Sequence, residues 1–76
     1  MKPEAVAILQ AIRGAGGDSV CAEKIVTGCN GNGGIDDVSN FIPHCNQLHA
    51  DGYVSMQMEN GIRLYSITEE GRKAIS

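Results

Sequence analysis

Apolar residues recur with helical spacing along the first two thirds of the chain and alternate with strand spacing after that. From Pro3 to about Arg13, Ala5, Ile8, Leu9 and Ile12 fall at i, i+3, i+4 and i+7 and make one stripe, with Val6 off it. Pro3 suits a first helical position, Glu4 complements the positive helix end, and Gly14-Ala15-Gly16-Gly17 ends the segment. Asp18 or Ser19 is placed to cap a second helix running to about Thr27, with Val20, Cys21 and Ile25 inward and Val26 at the edge. Gly28 reads as its stop, and the run from Gly28 to Gly34 reads as a loop on composition alone. A third helix lies between Asp36 and Asp51, where Val38, Phe41, Ile42, Cys45 and Leu48 share one face. Pro43 interrupts it, and a proline in a helix interior costs about 3 kcal/mol. Two forms stay open: a short turn at 36–38 followed by a helix capped at Ser39 or Asn40, or one kinked helix.

Beyond Gly52 the period changes. Tyr53 to Met58 and Ile62 to Ile67 are expected to be strands, and Asn60-Gly61 between them is a strong hairpin signal, because a type I′ turn needs positive φ at both central residues. A two-residue loop sets Glu59 opposite Ile62, Met58 opposite Arg63, Met56 opposite Tyr65 and Val54 opposite Ile67. Side chains alternate, so Val54, Met56, Tyr65 and Ile67 are expected to face the helices, with Ile62 and Leu64 on the other face. Thr68 can cap a last helix over about 69–75. The expectation is a single α+β domain over residues 1–76, in the order α-α-α-β-β-α, with room for a short strand near Ser19 to complete a three-stranded sheet.

Composition narrows this picture. A chain of 76 residues with 42% apolar and 20% charged residues fits one small globular domain. No apolar run approaches the ~18 residues that span a bilayer, and Met1-Lys2-Pro3-Glu4 does not read as a signal peptide. The expected location is the cytoplasm, where three cysteines do not imply a disulfide framework. Six Lys and Arg against nine Asp and Glu leave a net charge of −3, which counts against a module that relies on phosphate neutralisation.

The segments Leu48-His49-Ala50-Asp51-Gly52-Tyr53-Val54 and Arg63-Leu64-Tyr65-Ser66-Ile67-Thr68-Glu69-Glu70-Gly71-Arg72 resemble the winged helix-turn-helix superfamily, in the form taken by small bacterial and phage transcription regulators. The similarity covers the last half of the chain well and the first half only in element order. The seven residues from Gly28 to Gly34 depart from the pattern, since a helix-turn-helix usually turns in three or four. The resemblance implies a small DNA-binding transcription regulator, with the third helix (about 39–51) presented to double-stranded DNA and the 53–67 hairpin as wing. A homodimer is expected, because one module seldom supplies enough specific contact.

On that reading the DNA-facing candidates are Ser39, Asn40, His44 and Gln47 on helix three, Arg63 on the wing and Lys24 on helix two. Asn and Gln suit adenine edges, and cations suit phosphates. The third helix itself offers no Lys or Arg, and Asp36, Asp37 and Asp51 flank it. The blander reading is a solvated polar face, with Arg63 in an exposed pair with Glu59 or Glu69. The alternative function is an acidic winged-helix module that binds a protein as inhibitor or adaptor, with Val6, Ile62 and Leu64 as candidate interface residues. No enzyme, cofactor or metal is expected. Cys21, Cys29, His44, Cys45 and His49 lack zinc-ligand spacing, and His44-Cys45 are helix neighbours that point about 100° apart. Cys29, in the glycine-rich loop, is the thiol expected to be exposed and open to redox chemistry.

Overall fold

The stripe on the first helix is the floor of the core. In the computed structural model, which describes residues 1–76, α1 spans Pro3–Gly14 and buries Ala7, Ile8, Leu9, Ala11 and Ile12. The buried band is wider than four residues because a second helix and the sheet both lie on it. α2 (Ala22–Cys29) and α3 (Val38–Ala50) add Ile25, Cys29, Phe41, Cys45 and Leu48. Three strands, β1 (Val20–Cys21), β2 (Val54–Glu59) and β3 (Ile62–Ile67), form an antiparallel sheet in the order β1-β3-β2, and α4 (Glu69–Ala74) follows. Val20, Val54, Tyr65 and Ile67 carry the sheet's share of the core. Phe41 and Tyr65 meet edge to face, 5.4 Å between centroids at 82°, an arrangement worth about 0.5–1.5 kcal/mol beyond the area it buries.

The hairpin has the expected register at all four predicted pairs. Asn60 and Gly61 sit at φ 53° and 78°, the two positive values a type I′ turn requires. The short strand also exists, and it displaces the predicted start of the second helix. Val20 pairs with Tyr65 and Cys21 with Leu64, so β3 is covered on both sides. Ser19 takes φ 54° and caps nothing. Asp18 instead accepts the Ser66 hydroxyl at 2.7 Å, and the Ser19 N–H donates to that same hydroxyl oxygen, tying the turn to β3. The β-branched Val20 gains more from sheet pairing and burial than from a helix start.

The glycine-rich run is also more ordered than its composition implies. Gly28 lies inside α2, not beyond it; a Cβ there would stand 3.1 Å from that of Ala11, so the glycine lets α1 and α2 cross closely. α2 ends at Asn30, in the left-handed conformation. A single 3-10 turn follows at Asn32–Gly34, and Ile35 is then buried completely. Gly33 lies against the start of α1, where a Cβ would come within 2.7 Å of Glu4 Cα. The long connection is therefore a packed strap.

Of the two forms left open for the third helix, the structure has one continuous helix, capped neither at Ser39 nor at Asn40. Asp37 is the cap, and its carboxylate accepts the Asn40 N–H at 3.1 Å while the Asn40 side chain reaches back to the Asp37 N–H. Pro43 falls in the second turn on the exposed side. The carbonyl it leaves without its helical donor, that of Ser39, belongs to an exposed residue.

At the other end, Thr68 caps α4 by accepting the Gly71 N–H at 3.1 Å and donates its hydroxyl to the Gly52 carbonyl at 2.7 Å. Gly71 is buried, and a Cβ on it would lie 2.3 Å from the Tyr53 carbonyl oxygen. The Thr-x-x-Gly spacing thus fastens α4 against the corner between α3 and β2.

Candidate functional site

The surface left to α3 is narrow. Ser39, Pro43, Asn46, Gln47, His49 and Ala50 are exposed, while Asn40 and His44 are half-buried. The sequence-derived candidates on this helix fare unequally. The Ser39 hydroxyl donates to the Asp37 carboxylate, within the cap. Asn40 is engaged in the helix cap. Its amide nitrogen donates to Asp36 and its amide oxygen accepts the N–H groups of Asp36 and Asp37, so it is spent on starting the helix. The Ser39 hydroxyl, and after it the Asn40 N–H, hold the Asp37 carboxyl below its usual range. Gln47 is exposed, with its amide nitrogen 3.1 and 3.2 Å from the two Asp51 oxygens.

His44 lies at the side of this surface. It turns from the exposed face toward the first turn of α1, where Lys2, Glu4, Ala5, Gln47, Asp51 and Tyr53 line a groove of about 630 Å³ with it. The helical angle explains this: His44 lies three residues after the buried Phe41 and four before the buried Leu48, so it flanks the core stripe.

The two predicted cations do not meet. Arg63 lies on β3 beside the start of α3, in a shallow groove with Ala22, Glu23, Val38, Ile42 and Ile62. It forms no ion pair with Glu59 or Glu69; the salt bridges of the chain join Lys73 to Glu69 and Glu70. Lys24 faces a different groove, with Gln10, Gly14 and Thr27, between α1 and α2. Arg72 lies near Gly17, where a Cβ would meet its guanidinium. The face of α3 is thus bordered by two cations in no ion pair, Arg63 beside its start and Lys2 in the groove with His44 and Gln47, and by the carboxylates of Asp36, Asp37 and Asp51.

Three further expectations change. Cys29 is 1% exposed, and burial pushes its thiol pKa up, so it is neither accessible nor reactive as placed. It closes α2 on its buried side, and burial likewise raises the Cys45 thiol to about 12. Met56 lies on the helix-facing side of the sheet but stays 38% exposed, because the hairpin projects past the helices after Val54. Of the apolar interface candidates, Val6 and Leu64 are half-buried and only Ile62, at 55%, is open to solvent. The residue that sequence reasoning passed over is Met58, 61% exposed near the wing tip. Its place opposite Arg63 was legible in the register.

No protein-family model matches the sequence, and no curated protein does. Among solved structures the fold is similar to that of Sso10a-2, a DNA-binding protein from Sulfolobus solfataricus, with a TM-score of 0.74 at 22% identity over 95% of this chain. The chain spans 66% of that neighbour's length. The fold is thereby a small α+β domain, its helices packed on a three-stranded antiparallel sheet as in that neighbour.

Proposed function

We propose that this domain binds double-stranded DNA as a small cytoplasmic transcription regulator, with α3 in the major groove and the β2–β3 hairpin against the flanking backbone. The observation that carries this reading is the fold held in common with a DNA-binding protein over 95% of the chain. Residue chemistry supports it in part. Asn46 and Gln47 are exposed amides on α3, suited to adenine edges. Arg63 is free and borders the same helix. Ser39 and Asn40 can join them where their side chains leave the helix cap, and His44 borders the α1 groove together with Gln47.

The charge geometry limits how such binding would work. With few cations near α3, few condensed counterions are released, and affinity depends weakly on salt, with a logarithmic slope of about −1 to −3. The test is titration of fluorescent random duplex DNA across a salt series. Binding that is present at low salt and follows a shallow slope is expected, and Arg63→Ala should reduce that slope by about 1. No binding at the lowest salt would sink the proposal.

A second reading is favoured by one observation: the exposed face of α3 has no Lys or Arg and carboxylates at both ends. On that reading the same face docks on a basic protein partner. Absence of DNA binding, with retention on a basic protein surface that is lost in Asp36→Asn/Asp51→Asn, would favour it.

A further inference from the structure

The wing has an edge with nothing on it. In the order β1-β3-β2, β3 is central and β2 is an outer strand. Backbone parity shows which of its groups are free. The residues flanking a two-residue hairpin loop exchange both hydrogen bonds, so Glu59–Ile62, Gln57–Leu64 and Ser55–Ser66 are the bonded pairs, and Val54, Met56 and Met58 point their N–H and C=O groups away from β3. The Ile67 N–H, opposite Val54, donates outward to the Gly17 carbonyl at 3.0 Å, as this parity requires. Outside the helices and the sheet, no backbone hydrogen bond involves Val54, Met56 or Met58.

The usual guards of an edge strand are missing. Val54-Ser55-Met56-Gln57-Met58-Glu59 holds no proline, no lysine and no bulge, and its one charge is at the end. The residues with free backbone groups are also those whose side chains lie on the Tyr65 face, and two of them, Met56 and Met58, are exposed. Hydrogen-bonding edge and apolar ledge therefore coincide.

We infer that this edge is where two copies of the chain join, by antiparallel pairing of β2 with its counterpart about a two-fold axis at Met56. In that register Met56 faces the partner's Met56, Val54 faces the partner's Met58 and Ser55 faces the partner's Gln57. Each copy would exchange backbone bonds through the groups now free, and the sheet would grow from three strands to six. The spacing of the free groups fits a second copy, since Val54, Met56 and Met58 meet the same three residues in reverse order. Glu59 falls opposite the partner's Tyr53, so no carboxylate meets another across the seam, although each chain carries a net charge of −3. The four methionines fill an adaptable apolar ledge.

The pairing does not depend on DNA binding and is tested without DNA. Sedimentation of the whole chain over a concentration series should show a reversible monomer–dimer equilibrium that holds or tightens as salt rises, the opposite of the DNA titration. Met56→Lys puts two like charges face to face at the axis and should weaken association at least tenfold while the far-ultraviolet circular dichroism stays native. Amide exchange at Met56 and Met58 should slow with protein concentration. A chain that stays monomeric at about 1 mM, a dimer that survives Met56→Lys, or one that dissolves with salt would each overturn the inference.

Discussion

A single methylene decides whether α4 can seat. Alanine is the better helix former by about 1 kcal/mol, so a glycine inside an exposed helix usually gains from replacement. At Gly71 the added carbon would lie 2.3 Å from the Tyr53 oxygen. Gly71→Ala is therefore expected to destabilise the domain by about 1–3 kcal/mol, as overpacking does. Gly14 makes the control: it is helical, and a Cβ there meets nothing within 4 Å. Gly14→Ala should be neutral or stabilising by up to about 1 kcal/mol. Urea denaturation of the two variants would show opposite signs; equal signs would mean that the Tyr53 contact is not restrictive. Thiols give a second test at this scale. Cys21 is half-buried, whereas Cys29 and Cys45 are buried with raised pKa values. Under native conditions a thiol reagent should modify Cys21 first, and the other two should react only at the rate of unfolding.

At the scale of elements, periodicity read the molecule well wherever one side of an element faces solvent. α1, the face of α3 and the hairpin register all followed from spacing. It failed where neighbouring elements set the answer. Val20 reads equally as helix or strand until β3 is beside it, and Gly28 and Gly33 read as loop because a close approach to Ala11 or Glu4 leaves no mark in local sequence. The candidate site suffered more than the fold. Asn40 and Ser39 have the residue types of a reading head, but the same short polar side chains start helices, and here both are engaged in the cap. Helix α3 should accordingly depend on Asp37. Its folded pKa is depressed below 3.8, so the stability it contributes is complete above that value and is lost as the pH falls through the folded pKa. Acid titration followed by circular dichroism should show α3 fraying below the ordinary carboxylate range, and Asp37→Asn should remove that step. A variant that keeps the step would assign it to another carboxylate.

For the whole molecule, the arrangement of charge matters more than its sum. Winged helices that read DNA commonly surround the recognition helix with cations, whereas this domain spreads Lys24, Arg63 and Arg72 over separate parts of its surface. A helix with exposed amides and few phosphate anchors discriminates between sequences without holding any of them tightly. Two copies acting together would compensate by adding contacts, and the ratio of specific to random binding should then rise with protein concentration. Competition between a palindromic library and random duplex, run at two protein concentrations, measures this; an unchanged ratio would argue for action by single copies.

The edge-to-face contact of Phe41 with Tyr65 has a practical side. The chain contains no tryptophan, two tyrosines and one phenylalanine. Its near-ultraviolet dichroism therefore comes from three rings, of which two are locked together between α3 and the central strand while Tyr53 is half-buried. The domain carries its own optical gauge of wing attachment. If the hairpin swings away while the helices persist, the tyrosine bands should fade before the peptide signal does, and no label is needed to see it.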